Sequence, residues 1–142
     1  IGVEQMKKLP SFLLKRKENF IHLEAGLKNI SGFSVLQHPM NERFCSSHYC
    51  LGLMLEPSLA NKRSVLMEML TDKGIGTSIY YPQPVPRMTY YKKKYGYDEK
   101  KFINAATISD RIIALPVGPH LEISDMNYMI KSIEEIWSTM NV

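Results

Sequence analysis

Apolar residues recur at steps of three and four along the first thirty residues, which predicts a long amphipathic helix over residues 3–30. Its apolar positions are Met6, Leu9, Leu13, Phe20, Leu23, Leu27 and Ile30, with polar residues between them. Pro10 lacks a backbone N–H, so we expect a kink or a restart of the helix there. Residues 31–33 (SGF) are predicted to end it. Because a long apolar stripe needs a surface to pack on, the helix is expected to contact more than itself.

Short apolar runs after this helix predict a small sheet. Residues 33–37 (FSVLQ) and 48–55 (HYCLGLML) are predicted strands, and the segment between them is turn-like. Residues 77–81 (TSIYY) are β-branched and aromatic, which predicts a third strand. Residues 111–117 (RIIALPV) predict a further short extended piece. These strands are short, so helices must cover them.

Three more helices are predicted. The second follows Asn61 as N-cap, packs through Val65, Leu66, Met69 and Leu70, and stops at Gly74. A short helix is expected over residues 102–110. The last helix is expected to have Ser124 as its cap and Asp125 in its first turn. Its predicted buried stripe is Met126, Met129, Ile130, Ile133, Ile136 or Trp137, and Met140.

The order of these elements predicts one domain of the α/β class, in the two-layer α+β arrangement. A small, mostly antiparallel sheet would be covered by helices, with the long N-terminal helix at one side. The 142 residues suit a single domain with its own core. The division we expect is a helix over residues 1–30 and a sheet with its helices over residues 31–142.

Charge and hydropathy argue against two classes of partner. The net charge is +4, from 18 basic and 14 acidic residues, and the basic clusters are spread along the chain with acids between them. A nucleic-acid-binding protein concentrates such an excess on one face, so we expect no nucleic-acid partner. No apolar run approaches the roughly 20 residues that cross a bilayer, so we expect no membrane partner. The first dozen residues do not resemble a signal peptide, and a cytoplasmic location is expected.

Cysteines and histidines give no metal motif. Cys45 and Cys50 lack the second ligand pair of a structural zinc site, and five positions apart in a strand they would point to opposite faces. We therefore expect buried or half-buried free thiols. His22, His38, His48 and His120 show no helical pairing, so no metal ligand is predicted. His120, between a proline turn and a helix, is either a site residue or a surface loop histidine.

The segment GIGTSIYYPQPVPRMTYYKKKYGY, residues 74–97, carries the candidate chemistry. Pro82, Pro84 and Pro86 fix three φ angles, so the segment is expected to be stiff and close to polyproline II. Its tyrosines offer flat faces with hydroxyl tips, and Arg87 offers a planar fork for phosphate or carboxylate. These are parts that grip a sugar nucleotide or a phosphorylated cofactor. The alternative is that the tyrosines cover the domain's own core and Arg87 pairs with a carboxylate.

Three ordered motifs resemble the C-terminal region of the DegT/StrS family of sugar aminotransferases. They are GIGTSIYYPQPVPRMTYY, then RIIALPVGPHLEISDMNYMIKSIEEI, and the opening IGVEQMKKLPSFLLKRKENF. The last is similar to the family's helix in Ile1, Gly2, Gln5, Leu9, Phe12 and Arg16. The likeness covers essentially the whole chain. One departure is Pro86-Arg87, which stands where many relatives have a histidine.

The resemblance implies the small domain of a fold type I enzyme that uses pyridoxal 5'-phosphate. The long helix would bridge to an N-terminal cofactor-binding domain, which is absent from this chain and carries the Schiff-base lysine. No catalytic or cofactor-binding residue is therefore assigned here. The implied substrate-binding residues are Tyr80, Tyr81, Arg87, Tyr90 and His120. They would lie at the rim of a cleft between domains, near the interface of a homodimer.

The implied reaction transfers an amino group, from glutamate as donor, to a keto sugar nucleotide in polysaccharide or deoxyaminosugar biosynthesis. This chain alone is predicted to be inactive. Two alternatives stay open at this point. The same fold could act as a stand-alone interaction module without catalysis, or the chain could belong to a different fold type I enzyme, such as a decarboxylase or lyase.

Overall fold

Within residues 2–37 and 43–140, which the computed structural model describes, the chain forms five α-helices and one three-stranded sheet. The helices are α1 (Gly2–Leu27), α2 (Arg63–Asp72), α3 (Thr89–Tyr95), α4 (Ile103–Arg111) and α5 (Ile123–Met140). The strands are β1 (Phe33–Val35), β2 (Cys50–Leu55) and β3 (Ile112–Pro116). Short 3-10 helices occupy Pro57–Lys62, Val85–Arg87 and Glu99–Phe102. The predicted turn after β1 lies mostly outside the described residues, as does His38.

The sheet has the order β1-β2-β3, and both neighbouring pairs are antiparallel. β2 is central: Leu53 faces Val35 of β1 and Ile113 of β3. Residues 51–55 are all buried, and both α1 and α4 contact this strand. The predicted two-layer α+β fold with a small antiparallel sheet is therefore confirmed.

The core lies between the sheet and the pair α1 and α5. α1 packs along α5, and α2 packs on α5 as well. The fully buried side chains are Leu23, Leu27, Leu51, Leu53, Leu55, Leu66, Leu70, Ile113, Leu115, Met126, Ile133 and Ile136. The predicted stripe of α5 is confirmed, with Ile130, Trp137 and Met140 packed at its margin. Val65, predicted on the inner face of α2, is instead exposed.

α1 differs from its prediction at two points. It ends at Leu27, and Gly32, with a φ of +84°, turns the chain into β1. It also runs through Pro10 as one helix, so of the two outcomes expected there, a kink or a restart, the restart does not occur. A single proline removes one backbone hydrogen bond, and the bonds of the neighbouring turns hold the helix. Only the C-terminal half of α1 reaches the core, since Val3 and Met6 are exposed while Leu23 and Leu27 are buried.

The predicted strand at residues 77–81 is reduced to a single bridge, between Ser78 and Ala114 of β3. Ser78 N–H donates to the Ala114 carbonyl at 3.2 Å, and Ala114 N–H donates back at 2.8 Å. Pro82 and Pro84 follow directly and cannot donate to a ladder. The strand prediction is therefore wrong beyond Ser78, and the edge of β3 is only partly covered.

The aromatic stretch after the prolines forms helix α3, although the sequence predicted an irregular loop there. The helix is Lys-rich, and Gly96, with a φ of +62°, ends it. Lysine and tyrosine are acceptable helix residues once the prolines have passed, and glycine then provides the left-handed C-terminal residue. The polyproline II prediction is also too broad, since Val85–Arg87 is a 3-10 turn.

Two predicted helix caps are wrong, and one helix stop is confirmed. α2 starts at Arg63 after a 3-10 turn, so Asn61 is not its N-cap. α5 starts at Ile123, so Ser124 lies inside the helix and is not its cap; Asp125 is in the first turn, as predicted, and its Oδ2 accepts from the N–H of Glu122 at 2.8 Å. Gly74 follows α2 with a φ of +76°, as a helix stop requires. None of the helices described in these ranges is both long and apolar enough to cross a membrane.

Candidate functional site

An open cavity of about 950 Å³ lies beside the proline segment. Its walls come from residues 80–88 on one side and from the region of α4 on the other. Apolar and aromatic side chains dominate the lining, which consists of Tyr80, Tyr81, Pro82, Gln83, Pro84, Val85, Pro86, Met88, Tyr97, Phe102, Ala105, Ile108 and Ser109. Two of the predicted site residues, Tyr80 and Tyr81, therefore line one concave surface.

The proline segment is held against α4 by hydrogen bonds. The buried Ser109 donates its hydroxyl to the Tyr81 carbonyl at 2.6 Å. Arg63 Nη1 donates to the Ser109 carbonyl at 2.5 Å, which ties α2 to the same point. Arg87 N–H donates to the Pro84 carbonyl at 2.9 Å and closes the 3-10 turn. The cavity wall is thus set by the fold and does not need a ligand to form.

The sequence left open whether the tyrosines and Arg87 face a ligand or serve the domain's own structure, and each alternative holds for part of this segment. Arg87 Nη1 lies 2.7 and 2.9 Å from the two carboxylate oxygens of Asp110, so its guanidinium is paired within the chain. The tyrosines do not cover the core: Tyr80 is 40% exposed and Tyr81 is 73% exposed. Arg87 would have to leave Asp110 to hold a ligand anion, whereas the two rings are already available.

Tyr90 is not brought into the cavity. It lies on α3, where its ring meets Tyr91 edge to face at 5.2 Å between centroids. Lys94 Nζ lies 5.4 Å from the centroid of the Tyr90 ring and donates to its hydroxyl at 3.2 Å. Its role at a substrate site stays a prediction.

A second, more polar pocket of about 280 Å³ brings Tyr80 and His120 together. Its other side chains with polar groups are Arg16 of α1, Tyr49, Cys50 of β2, and Ser78. The guanidinium carbon of Arg16 lies 5.6 Å from the centroid of the Tyr49 ring, and the Tyr49 and Tyr80 rings are 6.2 Å apart. Tyr80 therefore borders both cavities. The sequence reasoning missed Tyr49, and it noted Arg16 only as part of a helix motif.

Two groups of this pocket, Tyr80 and Cys50, have raised pKa values. Hydrogen bonding with Tyr49, with smaller contributions from its charge and from burial, raises the pKa of Tyr80, and Ser78 opposes the shift. Burial raises the pKa of the Cys50 thiol. Both groups are therefore protonated at neutral pH and can donate hydrogen bonds.

Cys45 and Cys50 are free thiols, and they differ in exposure. Cys50 is half-buried at the start of β2, as predicted, whereas Cys45 is exposed and precedes the strand. The prediction that both are at least half-buried is wrong for Cys45, which lies outside the three strands. Within residues 2–37 and 43–140, no group of three His, Cys, Asp or Glu side chains is placed to hold a metal ion.

Asn19 fixes the loop that carries His120. It is fully buried on α1, and its Nδ2 donates to the carbonyls of Gly118 at 3.1 Å and Leu121 at 3.0 Å. Lys15, one turn earlier, pairs with Glu122 at 2.9 Å. The polar pocket therefore has one wall on α1 and the opposite wall tied to it.

We expect Asn19→Ala to lower the free energy of unfolding by about 1–3 kcal/mol, because two part-buried carbonyls lose the donor that the buried Asn19 supplies. Urea unfolding followed by circular dichroism measures the change. Asn127→Ala is the matched control: Asn127 also accepts a side-chain hydrogen bond, from His22 at 2.7 Å, but it is exposed. The control should stay within about 0.5 kcal/mol of the wild type. Equal effects of the two changes would contradict the structural role of Asn19.

Comparison with known proteins places this fold among aminotransferases. The model of the family described as DegT/DnrJ/EryC1/StrS aminotransferases matches residues 1–134. UDP-4-amino-4-deoxy-L-arabinose--oxoglutarate aminotransferase of Shewanella sediminis is 27% identical, over 96% of this chain and 36% of that protein. A transaminase of Campylobacter jejuni for UDP-4-amino-4,6-dideoxy-N-acetyl-beta-L-altrosamine is 26% identical, over 91% of this chain and 33% of that protein. The chain thus spans about a third of the length of these relatives.

A solved structure shows the same fold. PseC of Helicobacter pylori, an aminotransferase involved in the biosynthesis of pseudoaminic acid, superposes with a TM-score of 0.85 over 97% of this chain and 36% of that one. The sequence identity is 20%, so this likeness concerns the fold alone. The PLP form of Spr1654 from Streptococcus pneumoniae matches similarly, with a TM-score of 0.82 and 24% identity.

Proposed function

Because the chain belongs to the DegT/DnrJ/EryC1/StrS aminotransferase family, we propose that it is the C-terminal part of an enzyme that aminates a keto sugar nucleotide. The amino group would come from glutamate, and the reaction would require pyridoxal 5'-phosphate. The observation that carries the proposal is the open aromatic cavity at residues 80–88, whose rings are exposed and whose wall is already formed. A stiff aromatic wall suits a sugar nucleotide, because stacking on it costs little conformational entropy.

The residues of this chain would bind and orient the substrate. Tyr80 and Tyr81 offer ring faces to the sugar or the base, and Ser109 keeps Tyr81 in place through its backbone carbonyl. The apolar prolines and Met88 would exclude water from the bound substrate. Holding a substrate in a reactive orientation is the main contribution that such a wall makes to a rate.

The cofactor does not fit the aromatic cavity or the polar pocket. Pyridoxal phosphate supplies an electron sink, and it needs a lysine for attachment and a carboxylate beside its ring nitrogen. Among the described residues, the linings of the aromatic cavity and of the polar pocket contain no lysine and no carboxylate. We therefore assign no chemical step to these residues and place the cofactor on the remaining two thirds of the protein.

The exposed apolar face of α1 is an argument that a further domain packs on this helix. Val3, Met6 and Leu14 leave apolar surface uncovered along the N-terminal half of the helix. An exposed apolar stripe of this kind is typical of a surface that another polypeptide segment covers. We propose that the N-terminal cofactor-binding domain covers it and that the full-length enzyme is a homodimer.

The proposal is tested first by the reading frame before Ile1. The frame is expected to continue upstream for about the remaining two thirds of the relatives' length and to encode the cofactor lysine. A stop codon or an unrelated domain there would favour an interaction module.

We expect the full-length protein to convert glutamate and a keto sugar nucleotide to 2-oxoglutarate and an amino sugar nucleotide, while the 142-residue chain alone does neither. Tyr81→Ala should lower kcat/KM by about tenfold, the effect of losing an aromatic contact of about 1.4 kcal/mol. Tyr95→Ala, on α3 and outside the cavity lining, is the control and should leave kcat/KM unchanged. Activity limited to decarboxylation or elimination of amino acids would instead identify a different fold type I enzyme.

A further inference from the structure

The small polar pocket beside the aromatic cavity has the composition of an anion site. Its lining brings Arg16, Tyr49, Tyr80 and His120 together from four separate segments of the chain. We propose that this pocket binds a small oxyanion, a carboxylate or a phosphate group, and that Arg16 is its principal anchor.

Arg16 carries the inference because one of its donors is buried and unused. Its Nε is inaccessible to solvent and has no hydrogen-bond partner among the described residues. Its contact within the described residues is with the face of the Tyr49 ring, at 5.6 Å from the guanidinium carbon. A buried N–H without an acceptor is rare and costly, and a guanidinium is shaped to satisfy such donors with an oxyanion.

Two other cationic side chains, Lys15 and Arg87, have the acidic partners that Arg16 lacks among the described residues. Lys15 precedes Arg16 on α1 and pairs with Glu18 at 3.3 Å and Glu122 at 2.9 Å. Arg87 pairs with Asp110. In the part of the chain that the structure describes, Arg16 has no comparable acid, although it is half-buried and borders a cavity. An acceptor from outside the chain would complete its hydrogen bonding.

The charges of the pocket favour an anion. Among described residues its lining holds one arginine and one histidine and no aspartate or glutamate. The raised pKa values of Tyr80 and Cys50 keep both groups protonated, so neither opposes an incoming negative charge. Because the Tyr80 hydroxyl is engaged with Tyr49, the Tyr49 hydroxyl is the donor left for an anion, and hydrogen bonds to an ionised acceptor are among the strongest in proteins.

The far wall of the pocket is fixed in place. The His120 ring lies so close to Gly118 that a Cβ at position 118 would be 2.5 Å from His120 Cε1. Asn19 holds the same loop on α1 through two hydrogen bonds. The pocket, at about 280 Å³, has room for one small anionic group and is too small for a whole sugar nucleotide.

The same chemistry could come from two sources under the proposed function: a carboxylate of the amino donor or a phosphate of the sugar nucleotide. Oxyanion binding itself does not rest on that function; only its assignment to one substrate does. A binding measurement without turnover therefore separates the failure of this inference from the failure of the proposed function.

The test is a calorimetric titration of the 142-residue chain at pH 7 and constant ionic strength, with inorganic phosphate in one arm and glutarate in the other. We expect saturable binding with a Kd in the low millimolar range or below for one of the two. Arg16→Gln should raise that Kd at least about tenfold, the usual scale for a lost charge-assisted hydrogen bond. Lys17→Gln removes the same charge from an exposed adjacent position and should leave the Kd unchanged.

Preference for phosphate would indicate a phosphate site, and preference for glutarate a carboxylate site. Circular dichroism verifies that each variant is folded. If Arg16→Gln does not fold, two other variants take its place. Arg16→Lys keeps the positive charge but loses the planar guanidinium. Tyr49→Phe removes one hydroxyl donor. Absence of saturation by both anions up to about 50 mM, well above the millimolar range expected for a weak specific site, would overturn the proposal. So would equal weakening by Lys17→Gln.

Discussion

Gly32→Val is expected to lower the free energy of unfolding by about 2–6 kcal/mol. Two causes add. Gly32 has a φ of +84°, a conformation that a β-branched residue adopts only under strain. A Cβ there would also lie 2.7 Å from Trp137 Cη2 and 2.8 Å from Leu59 Cδ1. Urea unfolding monitored by circular dichroism measures the loss.

Gly74→Val separates the two causes. Gly74 has a similar φ of +76°, but no atom lies within 4 Å of the position of an added Cβ. Only the backbone strain, about 1–3 kcal/mol, should appear there. If the two variants were destabilised equally, the close packing of Trp137 over Gly32 would contribute nothing, and the explanation given for Gly32 would be wrong.

Leu23→Ala is expected to cost about 3–5 kcal/mol, because it opens a cavity in the centre of the core. Leu23 is fully buried, on the half of α1 that packs along α5. The same unfolding measurement applies, and the slope of the transition should stay unchanged if the fold is retained.

Leu14→Ala is the matched control on the same helix. Leu14 is 70% exposed in this chain, so its replacement should change the free energy of unfolding by less than about 0.5 kcal/mol. In a full-length protein whose further domain covers α1, the same substitution should cost distinctly more. A large loss in the 142-residue chain itself would mean that the N-terminal half of α1 already packs on the core.

The parts of the fold that the sequence predicted well are those with a strong local pattern. The stripe of α5 and the C-terminal half of the α1 stripe follow the helical period, and β2 is a continuous apolar run, so burial on one or both faces decides their structure. Helix α3 was not predicted, because the prolines before it and the tyrosines within and around it obscured the pattern of a short Lys-rich helix. The segment at residues 77–81 failed because strand pairing depends on the neighbouring edge, and the prolines after it turn the chain away from β3.

In the candidate site, too, features set by the local sequence could be predicted, and features set by tertiary packing could not. The exposure of Tyr80 and Tyr81 is one of the two alternatives that the sequence left open, because aromatic residues fit a binding surface and a core equally well. The pairing of Arg87 with Asp110 could not be predicted, because it depends on where α4 lies. Arg16, Tyr49 and His120 are far apart in sequence and meet only after α1, β2 and the loop before α5 have packed.

The continuity of α1 through Pro10 has a mechanical consequence. A helix of 26 residues is about 39 Å long, and its buried C-terminal half is anchored in the core. The free half therefore acts as a lever arm. The free half is about 20 Å long from its rise per residue, so a rotation of about 5° around its anchored end displaces Gly2 by about 2 Å. Slight tilting of this domain would thus be amplified into a shift of more than one bond length at whatever the tip of the helix meets.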